Sequence, residues 1–478
     1  MRISITQSTE TDLRIPGWML WVQCIAFAVL YAVWILPEIV GFRNTALVTG
    51  AIFGSYSIYR YRELFLQRYA VPIWLIIGLF SWATFHLFFI SANFSLQRIE
   101  YFRIWKYAAL GAIMATGLGL SLVNSSTQKS KYYWNAVYLG LCAPVIIYLI
   151  KYLFSTYGLA LGLDVPLSLR IYNGPLPFYV PKTDYVAFCL PAFSVALGLL
   201  LRLSRVSVRW HYKEYLNLAI QMAVIAATLF LFIAQNIKNG IAYAAMLFIV
   251  FGVLLFLGKD SVFSWKKLMA VLLIFSVLIV AVVVNVQKNN SWTTLLADTK
   301  IAVQLDKYPH WKDANKYGYP QNEYGTIVSI TNYERAAWAY VGLKLSLENP
   351  LGYGLIEDSF AKMAKARWPD VGSNLSHSHS GWLDVILAIG YPGFLLIILA
   401  MLLTIKNAFS IKPPWATLAF WPLLASLLLW CTTEVSATVT FAALIFWICL
   451  GGGLCLRAGN GTLIQSRILD LKKKLNER

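Results

Sequence analysis

The residues best suited to chemistry lie late in the chain. Of five histidines, His86, His211, His310, His377 and His379, two fall in Ser376-His377-Ser378-His379-Ser380-Gly381-Trp382-Leu383-Asp384. This stretch joins a long polar segment to an apolar run. Imidazole is largely neutral near pH 7 and is a competent general base. A loop histidine is also, more commonly, an ordinary polar residue. The His-x-His spacing could supply two metal ligands, but no third ligand stands at a clear spacing. The expectation is therefore no metal and no cofactor. Arg335 lies in the first turn of a helical pattern. It is either a surface charge or a guanidinium that grips a phosphate beside helix N-terminal amides. Lys238 stands in the turn Gln235-Asn236-Ile237-Lys238-Asn239-Gly240 between two apolar runs. A cation there must be solvated or paired, so it is a phosphate contact or an interfacial anchor.

The elements that must position these groups are membrane helices. Hydrophobic residues make up 59% of the 478, charged residues only 13%, and mean hydropathy is +0.62. Soluble domains carry about 25% charged residues. Apolar runs long enough to span a bilayer recur at about 17–36, 45–59, 70–91, 106–123, 134–154, 183–201, 215–235, 240–257, 267–287, 380–405, 416–431 and 438–456. The reading is an all-α polytopic membrane protein with about 12 transmembrane helices. A large, partly helical loop, about 288–376, separates the ninth from the tenth. The chain divides into a membrane region at 1–287, a loop subdomain at 288–379, and three helices with a basic tail at 380–478. The polar stretch Met1 to Pro16 lacks the features of a cleavable signal.

Lys and Arg set the orientation. One set of short loops and termini holds 22 basic residues and the opposite short loops hold 7. The richer side is cytoplasmic by the positive-inside rule, which places both termini inside and the long loop outside. The net charge of +18 belongs to this pattern and to anionic lipid, and no soluble basic module exists to bind nucleic acid. Cys24, Cys142, Cys189, Cys431, Cys449 and Cys455 all fall in or at the ends of apolar runs, where core packing is the expectation.

Two segments depart from a plain topology. Ser91 to Lys106 is outside yet carries Arg98, Arg103 and Lys106. It either meets an anionic ligand at the outer surface or is an interfacial helix with snorkelling side chains. The long loop is too long and too aromatic for a simple connector. Thr331-Asn332-Tyr333-Glu334 fits a capping box with Thr331 as N-cap. A helix is expected to follow and to stop at Asn349-Pro350. A second helix is expected from Ile356 to Trp368.

Four elements occur in order: Asn332-Tyr333-Glu334-Arg335-Ala336-Ala337-Trp338, Glu348-Asn349-Pro350-Leu351-Gly352-Tyr353-Gly354, His377-Ser378-His379 with Leu383, and Gly390-Tyr391-Pro392-Gly393. Together they resemble the signature of the O-antigen ligase superfamily. Its pattern is an Arg opening a helix, an (H/N)-P-L-x-G-x-G turn, an H-x-H-(N/S) element and a G-x-P-G early in the next span. The superfamily includes lipopolysaccharide O-antigen ligases, O-antigen polymerases and protein O-oligosaccharyltransferases. By this resemblance the functional arginine falls on Arg335 and the functional histidine on His379, with His377 its neighbour. Lys238 stands where the family often has Arg, and lysine lacks the bidentate fork. Ser380 stands where many members have Asn.

The resemblance implies transfer of a glycan from undecaprenyl diphosphate to a sugar hydroxyl of lipid A–core at the periplasmic face. His379 would be the base. Arg335, with Lys238, Arg98 and Arg103, would stabilise the leaving diphosphate. The transfer would be inverting and metal-independent, and the protein's partners would be the prenyl-linked donor, the lipid A–core acceptor and membrane lipid. The length suits a ligase. The alternatives are an O-antigen polymerase, then a protein O-oligosaccharyltransferase, then a secondary transporter.

Overall fold

A computed structural model describes residues 15–171, 178–205, 211–256, 292–373, 375–433 and 437–458, with a few positions between 276 and 287. Helices occupy each expected apolar run except that at 267–287, which lies largely outside the described residues. The N-terminal stretch through Arg14 and the tail from Gly459 also lie outside them. In order the membrane-region helices are α1 (Gly17–Val33), α2 (Val40–Arg60), α3 (Val71–Phe89), α4 (Phe94–Glu100), α5 (Lys106–Val123), α6 (Thr127–Leu153), α7 (Lys182–Ser204), α8 (Tyr212–Ala234) and α9 (Lys238–Phe256). The loop contributes α10 (Leu295–Ala302), α11 (Ala314–Tyr317), α12 (Ile330–Glu348) and α13 (Ser359–Arg367). The last three are α14 (Gly381–Ala408), α15 (Trp415–Leu429) and α16 (Ala442–Cys455). Among the described residues no strand forms, only an isolated bridge between Gln321 and Ile327.

Seven helical segments among the described residues are long and apolar enough to cross a bilayer, and three shorter apolar helices accompany them. The protein is a helical membrane protein. Apolar burial supplies little drive between helices in lipid, so close packing and interhelical hydrogen bonds must hold the bundle. Both are present. Two glycines of 106–123 lie at close helix crossings: a Cβ on Gly117 would overlap the backbone of Gly54 on α2, and one on Gly119 the backbone of α16 at Leu450. Ser57 of α2 accepts hydrogen bonds from Gln23 of α1 (2.8 Å) and Ser121 of α5 (2.9 Å), which ties three helices together inside the bundle. The segment Ser91 to Lys106 is helical in part as α4. A π-helical turn, Tyr101–Trp105, joins it to α5.

The loop is a folded unit with its own apolar cluster, including Trp311, Val328, Tyr333, Val341, Phe360 and Met363. Leu387 of α14 belongs to the same cluster, so the loop is seated on the membrane bundle. α12 ends at Asn349-Pro350 as expected, because proline disfavours the α conformation in the residue before it. Its start corrects the sequence reading. The helix begins at Ile330 with Ser329 as N-cap and no side-chain cap, so the Thr331–Glu334 box does not form. Glu334 instead accepts the Tyr319 hydroxyl at 2.7 Å. The capping carboxylate comes from a distant residue. Asp298 on α10, fully buried, accepts from the Ser329 amide (3.1 Å) and the Asn332 side chain (3.0 Å). It also accepts from Asn322 and Thr294. A carboxylate there complements the helix N-terminus. The second loop helix is shorter than expected, starting at Ser359 rather than Ile356.

A break in α14 explains two of the motifs. Gly390 has φ +69° and ψ 177°, and Pro392 has no N–H, so the carbonyls of the preceding turn lose their helical donors. Donors from elsewhere replace them. The Tyr353 and Gly354 amides bond to Leu387 O and Ala388 O, each at 2.7 Å. Trp82 Nε1 bonds to Ile389 O at 2.7 Å. In return the Tyr391 amide bonds to Pro350 O at 2.9 Å. The Pro350-to-Gly354 turn therefore docks into the broken helix and satisfies its backbone. Gly352, at φ +84°, permits the approach. His86 secures the other side of the turn: it is fully buried and bridges Leu351 O (Nε2, 3.1 Å) and Gln97 (Nδ1, 3.1 Å).

Candidate functional site

Arg335 sits in the second turn of α12, half-buried, with Nη1 donating to Asn239 Oδ1 at 2.8 Å. Asn239 is in the first turn of α9, next to Lys238. The turn before it is built by the local sequence. Asn236 takes a left-handed conformation (φ +54°), and the Ile237 amide reaches back to Phe232 O at 2.8 Å. This closes α8 in the manner of a Schellman motif and restarts the chain as α9. Lys238 lies close enough to Arg335 to sense its charge. So does Tyr243, which is one turn along from Asn239 and whose hydroxyl is tied to Leu429 O at the end of α15.

His379 approaches the same helix one turn further along. Its ring lies flat on Trp338, with centroids 5.1 Å apart and planes 4° from parallel. Trp338 is three residues after Arg335, so the two project from one face of α12. The histidine is held in a left-handed backbone, φ +58°, which non-glycine residues adopt only when their surroundings impose it. Here Ser378 and Asp384 impose it. The Ser378 amide donates to Asp384 Oδ1 at 2.9 Å, and Ser378 Oγ donates to Ser380 O at 3.1 Å. Asp384 lies in the first turn of α14 and its amide bonds to Ser380 O. Behind the turn, Gly342 leaves room for Ser378; a Cβ there would lie 3.1 Å from that of Ser378.

Compared with known proteins, the chain matches no family model and no curated protein. Its site is therefore read from its own residues.

The structure brings Arg335, Lys238 and His379 to one face of one loop helix, where the N-terminus of α9 adds partial positive charge. Such an arrangement can hold an anion and place a base beside it. His377 is half-buried two residues before His379. Arg98 and Arg103 belong elsewhere. Arg98 is exposed on α4, while Arg103 forms an ion pair with Glu357. Glu100 between them accepts from the Ile356 amide and, at 3.2 Å, the Glu357 amide. These contacts fasten the basic segment beyond the C-terminal end of α12, whereas Arg335 is near its N-terminal end. Among the described residues no three His, Cys, Asp or Glu side chains group where a metal ion could sit.

The residues that sequence reasoning missed are the supporting ones: Asn239, Trp338, Asp384 and Asp298. Asp384 carried a signal, since an acid in the first turn of a helix is placed to accept from the preceding backbone. Trp338 and Asn239 carried none, because their partners are 41 and 96 residues away in the chain. Cys431 departs from the packing expectation: it is exposed at the end of α15, while the other five cysteines are buried.

Proposed function

We propose that this protein is a membrane glycosyltransferase, of the O-antigen ligase type, that moves a glycan from undecaprenyl diphosphate to a sugar hydroxyl of lipid A–core. The reading includes twelve spans in the bacterial inner membrane, both termini in the cytoplasm and the 288–379 unit in the periplasm. The observation that carries it is the convergence of Arg335 and the Lys238–Asn239 turn with His379 on one face of α12. Arg335, Lys238 and His379 are positions singled out by the motif resemblance, and they come from three separate parts of the chain.

The chemistry assigns each a task. The acceptor hydroxyl attacks the anomeric carbon and its proton passes to the His379 imidazole. The new glycosidic C–O bond forms as the bond to the diphosphate oxygen breaks, and prenyl diphosphate leaves with its electron pair. A single displacement inverts the anomeric centre. Arg335 meets the developing charge on the leaving group, with Lys238 as a second cation. The indole of Trp338, flat against the imidazole, fixes the plane of the ring so that a nitrogen is held in position for the acceptor hydroxyl.

The test is transfer by purified protein in nanodiscs, with prenyl-diphosphate glycan as donor, rough lipopolysaccharide as acceptor and EDTA present. The expected result is a ladder of higher-mass lipopolysaccharide, lost in His379→Ala at normal membrane abundance and reduced about 10²-fold or more in Arg335→Ala. Arg335→Lys should recover only part of the activity. A ladder retained in His379→Ala removes it as the base. Longer prenyl-linked glycan formed without lipopolysaccharide makes the protein a polymerase.

A further inference from the structure

One surface of the loop unit has no part in that mechanism. Between Tyr308 and Tyr317 the chain makes a 3-10 turn at Pro309–Trp311 and the short helix α11. His310 lies between two tyrosines, with centroids 6.1 Å from Tyr308 and 6.3 Å from Tyr317. All three rings are partly exposed. An exposed lysine accompanies each tyrosine: Lys307 Nζ is 5.2 Å from the Tyr308 ring and Lys316 Nζ 5.1 Å from that of Tyr317. The segment is pinned in place. Asp313 caps α11, Lys312 Nζ pairs with Asp370 at 2.9 Å, and Lys312 O accepts the Gly372 amide at 2.8 Å. It also adjoins the candidate site, because Trp311 O accepts the indole N–H of Trp338 at 3.1 Å, and Trp338 lies under His379.

We infer that Tyr308, His310 and Tyr317, flanked by Lys307 and Lys316, form a platform that binds the anionic oligosaccharide of a glycolipid substrate. The inference rests on the glycosyltransferase reading and deepens it. Sugar rings present apolar C–H faces that suit aromatic rings, and hydroxyls that suit polar tips. The two lysines fit phosphate or carboxylate substituents. His310 Nδ1 is buried without a hydrogen-bond partner. Burial also lowers the basicity of this imidazole, which favours the neutral ring. A pinned platform loses little freedom on binding. Its link to His379 through Trp311 and Trp338 favours a substrate glycan over a lipid surface as the occupant.

The test measures binding to the full-length protein in detergent. The probes are the lipid-free phosphorylated oligosaccharide released from rough lipopolysaccharide, the same oligosaccharide dephosphorylated, and the glycan released from the donor. Wild type should bind an anionic probe. Tyr308→Ala/Tyr317→Ala should weaken that binding about tenfold or more, while Tyr308→Phe/Tyr317→Phe keeps it within about twofold. The released glycan whose affinity falls identifies the source as acceptor or donor. Equal binding by the alanine variant overturns the inference, as does no binding of any probe by wild type. If the alanine variant changes only partitioning onto anionic-lipid nanodiscs, the occupant is the membrane and the inference also falls. Binding that follows the pattern in a protein without transfer activity would remove the glycosyltransferase reading and leave the platform.

Discussion

Replacing Gly352 with alanine should undock the loop from the bundle without unfolding the bundle. Gly352 has φ +84°, and an added Cβ would lie 2.5 Å from Gly390 N and 2.8 Å from Ala388 O. The left-handed conformation alone costs an L-residue about 1–2 kcal/mol. Relieving the overlap separates the backbones, and then the Tyr353–Leu387 and Gly354–Ala388 hydrogen bonds, each 2.7 Å, cannot both persist. The two carbonyls belong to fully buried residues in a helix that cannot supply their donors. Each orphaned carbonyl costs roughly 1–3 kcal/mol. The total is about 3–8 kcal/mol, all of it borne by docking of the 350–354 turn. Hydrogen exchange in nanodiscs reads this directly. The Tyr353 and Gly354 amides should exchange at least about a hundredfold faster, since each 1.4 kcal/mol is a factor of ten. Amides in α7 should be unchanged. Transfer should fall at least about tenfold because α12, which carries Arg335 and Trp338, is anchored at its C-terminal end by this turn. Unchanged exchange at Tyr353 and Gly354 in a folded Gly352→Ala protein would refute the account of the α14 break.

Asp298→Ala strips one acceptor from four donors around the start of α12 and should destabilise the loop by about 3 kcal/mol. Limited proteolysis of membranes should then cut between 292 and 330 well before the transmembrane helices are touched, and equal protease resistance would count against Asp298 as the cap. Trp338→Leu should lower kcat for glycan transfer about tenfold or more with little change in KM for the donor, whereas Trp338→Phe keeps a ring under His379 and most of the rate. A rise in donor KM alone, with kcat unchanged, would instead tie Trp338 to binding.

The helices, their approximate limits and the end of α12 at Asn349-Pro350 were legible in the amino-acid sequence. Apolar runs, the missing proline N–H and the conformations open to glycine are local properties that act wherever the chain goes. The candidate groups were legible for the same kind of reason: an arginine in an early helical turn, a lysine between two apolar runs, and histidines beside a helix start are unusual as residue types in those places. Their company was not legible. That Asn239 receives Arg335, that Trp338 lies under His379, and that Asp298 rather than Thr331 closes the start of α12 depend on contacts across 31 to 96 residues. The same holds for the Pro-Leu-Gly-Tyr-Gly turn and the Gly-Tyr-Pro-Gly break, which read as two separate motifs and are one hydrogen-bonded joint. Arg103 shows the converse, a cation grouped with the site by charge and drawn away from it by Glu357. Only tertiary structure decided these matters, because a buried donor, acceptor or charge must be satisfied by whichever partner the fold brings to it, however distant in the chain.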